Sequence, residues 1–427
     1  MQHNLRNPRI FTRSITLAIS FLLIVASQCV FESEAPFSHP TSCHGTSFTS
    51  DSPYPWLNDE WVTSTPEEQM MNSTRLNEII EYIQDDNLLV DSLLILRNGF
   101  MVMEEYPTGD YGAKSPHKLY SVTKSIVSTL IGIAIREGFI EDIEQKMVDF
   151  FSNHTIENLD SQKEQISLEH LLTMTPGFEW DQWTYPTGDP RDSITKMIHS
   201  PDWVQFLLDL PMAADPGTKW MYNSGASHLL SAIIQRTSGM NTLDFAKQYL
   251  FEPLNIQNVT WVYDPQGVYH GGGTMNMTSR DMVKIGYLYL NNGMWNGTQI
   301  FSSDWASRSS SEYINLGTYD PSLSHAGYGY QMWNIPSMGV YYAVGMYGQS
   351  IYIFPAYDLI VVFTATMYDS VEPKDIILTE FIIPSILEDT IQSDTVLQVF
   401  YFSFLLTMTI PLLIIIPYSL LKEFRLR

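Results

Sequence analysis

Residues 117–138 read His117-Lys118-Leu119-Tyr120-Ser121-Val122-Thr123-Lys124-Ser125-Ile126-Val127-Ser128-Thr129-Leu130-Ile131-Gly132-Ile133-Ala134-Ile135-Arg136-Glu137-Gly138. From Ser121 to Glu137 this is a helix. Its apolar residues Ile126, Val127, Leu130, Ile131, Ile133 and Ile135 surround most of the cylinder, so it is buried rather than amphipathic. Gly138 stands where a C-terminal cap belongs. Ser121 and Lys124, three apart, share one face of the first turn. An unprotonated lysine there can take the serine proton, because burial and nearby cations lower an amine pKa. The serine also sits at the positive end of the helix dipole, its own N–H pointing toward a developing oxyanion. Ser121 is therefore the candidate nucleophile and Lys124 its partner. The same spacing recurs at Ser193/Lys196 and Ser419/Lys422. Ser193 opens no long buried helix, and Ser419 ends an apolar C-terminal run, so context selects Ser121.

Working outward, Asp91 to Tyr106 reads as a hairpin. Leu93 to Leu96 and Phe100 to Glu105 are its strands, and Asn98-Gly99 is a strong two-residue turn signal. Before it, Glu67 to Gln84 repeats Leu76, Ile79, Ile80 and Ile83 at helical spacing. The middle, 140–300, is helix-patterned and loop-rich, with helices over Leu229 to Arg236 and Thr242 to Leu250. Trp180, Trp183, Tyr185 and Trp203 fall in its loops. Strand character returns in Tyr328 to Trp333, Val340 to Gly345, Ser350 to Phe354 and Leu359 to Thr366. Pro355-Ala356-Tyr357-Asp358 is a turn between the last two, and Thr379 to Leu387 closes this part as a helix. Strands at both ends with helices between predict a sheet domain from 67–140 and 301–390, with a mainly helical domain, 141–300, inserted. The cleft between them is the natural place for a site.

Of 427 residues, 47 are acidic and 23 basic, a formal charge of −24. That excludes nucleic acid as a partner, since phosphate binding needs clustered Lys and Arg. Both termini address a membrane. Arg6, Arg9 and Arg13 precede an apolar stretch from Ile15 to Ala26, the layout of a signal peptide or anchor over 1–27. Residues 28–66, rich in Pro, Ser and Thr, read as a linker. Thr395 to Leu421 carries no charge and is long enough to cross a bilayer. The tail 422–427, with Lys422, Arg425 and Arg427, places that end on the cytoplasmic side. The domain between would then face the extracytoplasmic or lumenal side. Sequons at Asn72, Asn153, Asn258, Asn276 and Asn296 agree weakly with a secreted glycoprotein. Cys29 and Cys43 leave a bridge and free thiols equally open. No metal motif and no phosphate-binding Gly-rich loop occurs, and no cofactor is expected.

Several stretches in order over about 75–388 make the chain resemble the serine hydrolases of the β-lactamase and penicillin-binding fold. The class C and esterase branch, with hydrolases of the 6-aminohexanoate-dimer type, is most similar. They are Tyr120-Ser121-Val122-Thr123-Lys124-Ser125, Leu171-Leu172-Thr173-Met174-Thr175-Pro176-Gly177, Pro216 to Gly225, Phe251-Glu252-Pro253-Leu254, Ser279 to Gly286, and Gly345-Met346-Tyr347-Gly348-Gln349. The resemblance implies an α+β, β-lactamase/transpeptidase-like fold, an antiparallel sheet flanked by helices. It implies Tyr222, in Tyr222-Asn223-Ser224, as the phenol that relays the Ser121 proton to the leaving group. Ser224 occupies the position where relatives often carry Asn. Met346-Tyr347-Gly348 aligns with a Lys-Thr-Gly strand, with the Gln349 N–H as second oxyanion donor. Loss of that Lys/Thr pair removes the groups that grip a β-lactam carboxylate. Trp180, Asp181 and Trp183 lie in a loop that borders the cleft in relatives; with Ser224, Tyr347 and Gly348 they are candidate substrate contacts. His117 is expected to position the loop before the nucleophile, and His270 to be a loop residue.

The expected function is a membrane-anchored serine hydrolase that cleaves a small ester or amide, neutral or cationic, through an acyl-enzyme on Ser121. Two rivals stand beside it: a peptidoglycan-type D-amino peptidase or β-lactamase, and a non-catalytic surface binding protein that keeps the fold.

Overall fold

The computed structural model describes residues 61–319, 326–367 and 371–387. The signal or anchor segment, both cysteines and the apolar stretch 395–421 lie outside them. Among the described residues no helix is long and apolar enough to cross a membrane.

The N-terminal hairpin forms as its turn signal requires. β1 (Val90–Arg97) and β2 (Phe100–Glu105) pair antiparallel, with Asn98 at φ 51° and Gly99 at φ 80°. β1 then pairs with the last strand among the described residues, β12 (Leu359–Ala365). The sheet continues through β11 (Gln349–Phe354), β10 (Val340–Gly345), β9 (Trp333–Ile335), β8 (Gly327–Tyr328) and β7 (Ile314–Asn315), in the order β2-β1-β12-β11-β10-β9-β8-β7. Every neighbouring pair is antiparallel. The expected antiparallel sheet assembled from both ends of the chain is thus present. Two short pairs stand apart: β3 (Pro116–Lys118) with β4 (Asn276–Thr278), and β5 (Met294–Trp295) with β6 (Thr298–Gln299).

The period of two sends alternate side chains to opposite faces. Leu94, Leu96, Ile351, Ile353, Ile360 and Val362 join the main core with the central helices. Leu93, Ile95, Tyr352, Phe354, Val361 and Phe363 join a second core. The helix α1 (Ser73–Asp85) covers that second face with Leu76, Ile79 and Ile83. Asn72 caps it by accepting from the Arg75 N–H, so the helix begins six residues later than the apolar spacing alone suggested. Chain from 371 to 385 covers the same face through Ile377, Leu378 and Ile382. On the main face lie α2 (Val122–Arg136), α3 (Ser224–Ser238) and α4 (Ser279–Leu290). α2 is buried all round from Val122 to Ala134. α4 reaches the sheet at Gly286, where a Cβ would stand 2.9 Å from Ile351 and Ile360.

Three local readings need correction. Tyr328 to Trp333 is not one strand. Gln331 takes φ 59° between β8 and β9. Its buried amide donates to the Leu171 and Leu172 carbonyls and accepts from Ser227, and those bonds win over ladder pairing. Trp203 is not in a loop: it opens the helix Trp203–Leu208, capped by Asp202. Met346-Tyr347-Gly348 is a tight turn rather than a strand, because Tyr347 at φ 64° and Gly348 at φ 106° reverse the chain between β10 and β11. At the end of the stretch read as linker, Val62 and Ser64 bond the backbone of Met101 on β2, and Trp61 packs against the main core.

Candidate active site

Ser121 stands immediately before α2, held by the segments on either side. β3 pairs with β4, and the Leu119 N–H donates to the Met275 carbonyl at 2.8 Å. Buried His117 bonds Asp91 at 2.7 Å, and Thr366 donates to the same carboxylate oxygen. Burial disfavours the Asp91 charge, yet the His117 and Thr366 bonds hold its pKa below the usual carboxylate range. His117 thus anchors the loop before Ser121. Tyr120 then takes φ 47°, a strained conformation for a non-glycine residue, and turns Ser121 onto the helix N-terminus.

Lys124, one turn on, is 1% exposed. Its Nζ lies 3.0 Å from Ser121 Oγ and donates to the Gly272 carbonyl at 2.6 Å. Burial, with no carboxylate among the described residues to offset it, lowers the amine from 10.5 to about 7. Tyr222, carried just before α3, completes the group. The Ser121 hydroxyl draws the phenol pKa down, and Lys124 Nζ sits 4.9 Å from the ring centroid. Burial outweighs that pull and pushes the phenol up to about 12. The buried site thus pairs an amine that is half neutral near pH 7 with a phenol that keeps its proton.

The turn after β10 lies on the other side of the serine. A Cβ on Gly345 would come 3.1 Å from the Ser121 N and 2.3 Å from the Leu119 carbonyl oxygen, so only glycine allows this approach. Gln349 is fully buried and pairs with Gly345 across the turn. Its side chain bonds the Met346 and Ala365 carbonyls. Gly348 is buried within the turn, and Tyr347 packs edge-to-face on Tyr120 at 5.0 Å. Met346 is exposed, and Lys118 holds its ammonium 4.7 Å above the Tyr120 ring.

The loop 180–185 forms the wall beside Tyr222. Trp183 is 66% exposed, its ring 5.4 Å from that of Tyr222. Asp181 Oδ1 accepts the Trp183 and Thr184 N–H groups, each at 3.0 Å, so its carboxylate shapes the loop. Partial burial raises the Asp181 pKa, and the Thr184 bonds more than offset it. Trp180 departs from expectation. At 4% exposure it is packed in the core beneath the wall, too deep to line the cleft. Ser224, the first residue of α3, is also buried.

Three participants were missed in the sequence. The Gly272 carbonyl receives Lys124. The run Gly271-Gly272-Gly273 was the available signal: a Cβ on Gly271 would meet the Ser227 carbonyl oxygen at 1.9 Å, so this loop lies against α3 only as glycine. Gln182 accepts from Ser224 N and from Trp180 Nε1, both at 2.8 Å, and ties the loop to α3. Nothing in its surroundings marked it out. Trp333, 5.9 Å from Tyr222, backs that ring from the sheet side. His270 packs behind Gly272. Burial, and then the neighbouring His228 and Lys124, hold it neutral, with a pKa of about 3.

Fold and sequence together define a serine hydrolase of the β-lactamase and penicillin-binding superfamily. The chain belongs to the Beta-lactamase family, whose profile matches residues 77–378. It is 23% identical over 321 residues to 6-aminohexanoate-dimer hydrolase of Paenarthrobacter ureafaciens, covering 70% of this chain and 79% of that one. Among solved structures, EstCE1, a hydrolase with promiscuous acyltransferase activity, superposes with TM-score 0.59 at 14% identity, over 70% of this chain and 94% of that one. The octameric penicillin-binding protein homologue from Pyrococcus abyssi gives 0.55 at 17% identity, over 74% and 78%.

Proposed function

We propose that this protein hydrolyses an uncharged ester or amide through an acyl-enzyme on Ser121. The observation that carries the reading is Lys124: a lysine buried without a counter-ion among the described residues, 3.0 Å from a serine hydroxyl at a helix N-terminus. Neutral Lys124 takes the Ser121 proton as Oγ adds to the acyl carbon. The proton then passes through Tyr222 to the leaving oxygen or nitrogen as its bond to that carbon breaks. Water releases the acid by the reverse route and returns the proton to Ser121. The Ser121 N–H is one oxyanion donor. The resemblance makes the Gln349 N–H, at the end of the turn after β10, the second.

The acidic total charge favoured a neutral or cationic substrate. Lys118, held over the Tyr120 ring, is positive, and Asp181 is engaged with its own loop, which favours the neutral choice. Met346 where a lysine would meet a β-lactam carboxylate speaks against penicillin recognition. The apolar stretches at both ends support tethering, with this domain on the extracytoplasmic or lumenal side. A fluorophosphonate probe tests the chemistry. It should label the native protein and not Ser121→Ala; equal labelling of the two would refute the acyl-enzyme.

A further inference from the structure

We infer that Trp183 is the platform for the leaving group, and that the substrate is an ester or amide whose leaving alcohol or amine carries a planar, apolar group. This rests on the acyl-enzyme at Ser121 proposed above. The leaving atom must come within hydrogen-bonding reach of the phenol that returns the proton, so the leaving group passes beside Tyr222. One flank of the Tyr222 ring is closed by Trp333, at 5.9 Å and 34°. On another stands Trp183, at 5.4 Å and 37°, with two thirds of its surface open to solvent (66%).

That exposure is out of character for this chain. Trp180, Trp203, Trp261 and Trp305 are 4–8% exposed, and Trp183 is the exposed tryptophan among the described residues. Its position is built. Asp181 Oδ1 takes the Trp183 and Thr184 N–H groups, and Gln182 fastens the loop to Ser224 two residues after Tyr222. A fixed indole with a bare face beside the proton donor offers an aromatic partner stacking area. Indole surface held open in this way recovers its hydration cost only when something covers it.

The prediction separates acylation from deacylation, because the leaving group is gone once the acyl-enzyme has formed. The experiment takes esters and anilides of one short acid, with naphthyl, phenyl and methyl leaving groups, and measures acylation and deacylation by rapid mixing. Trp183→Ala should lower the acylation kcat/KM about tenfold for aryl leaving groups and under about twofold for methyl. Deacylation of the shared acyl-enzyme should stay unchanged, and Trp183→Phe should restore most of the loss. An exposed side chain can be removed without unfolding, so melting should not shift. Slower deacylation, or a loss that follows the acid rather than the leaving group, would overturn the assignment and move Trp183 to the acyl side. An unchanged kcat/KM for every leaving group would also overturn it. Failure of the underlying reading looks different: no acyl-enzyme would accumulate on Ser121 with any of these substrates.

Discussion

Lys124 carries opposite consequences for activity and stability. Its folded pKa, lowered by burial to about 7, lies below the 10.5 of an exposed lysine. In the proposed role of base it works when deprotonated, so kcat/KM should rise with pH through a midpoint near 7; a profile without that limb would remove Lys124 from the role. Tyr222, near 12, stays protonated across the working range, so no alkaline limb should appear below about pH 10. For stability, the unfolded chain binds the extra proton between about 7 and 10.5, so folding becomes more favourable as pH rises through that window. Lys124→Met should therefore abolish activity, by about 10³-fold or more, yet stabilise the fold by about 1–2 kcal/mol at pH 6. That gain should shrink by pH 10, as measured by denaturant melts at the two pH values. Tyr222→Phe removes the proposed relay but leaves the buried ring, so kcat should fall about 10²–10³-fold with little change in melting.

At the scale of elements, α2 and the turn after β10 meet at Ser121. Gly345 is where the turn touches the helix start. Gly345→Ala forces a methyl against the Leu119 carbonyl oxygen and the Ser121 N, so the turn must back away. The expected loss is about 1–3 kcal/mol of stability and about tenfold or more in kcat, because a small misplacement of a reacting group costs heavily. Gly286→Ala on α4 presses on Ile351 and Ile360 in the main core instead of on the Ser121 N. It should cost similar stability and spare kcat; comparing the two variants by melting and by turnover tests the distinction. The elements also differ in how legible they were. The Asn98-Gly99 hairpin and the helix ending at Gly138 follow from local chemistry, since glycine and asparagine tolerate positive φ at little cost. The break between β8 and β9 does not. Gln331 is a residue any strand accepts, and only Ser227, Leu171 and Leu172, distant in sequence, draw it out of the ladder.

Over the whole molecule, a net charge of −24 means the compact state repels itself, and salt should raise the melting temperature by a few degrees as it screens that repulsion. The proposed tether predicts that the full chain stays with membranes after alkaline carbonate washing, while residues 61–390 alone do not. Release of the full chain would refute the anchor. How much was readable depends on the range of the interaction. The sequence by itself determined the strand-rich ends, the buried helix, and Ser121 with Lys124 on its first turn, because periodicity, turn residues and an i,i+3 pair are local. Tertiary structure alone decided what makes those residues a candidate site. Lys124 is desolvated only because α3 and the glycine run close over it, and its amine bonds the carbonyl of Gly272, 148 positions away. Trp180 and Trp183, three apart in one loop, went opposite ways, one into the core and one beside Tyr222. Burial and proton affinity are properties of the assembled surroundings, and a pattern along the chain carries neither.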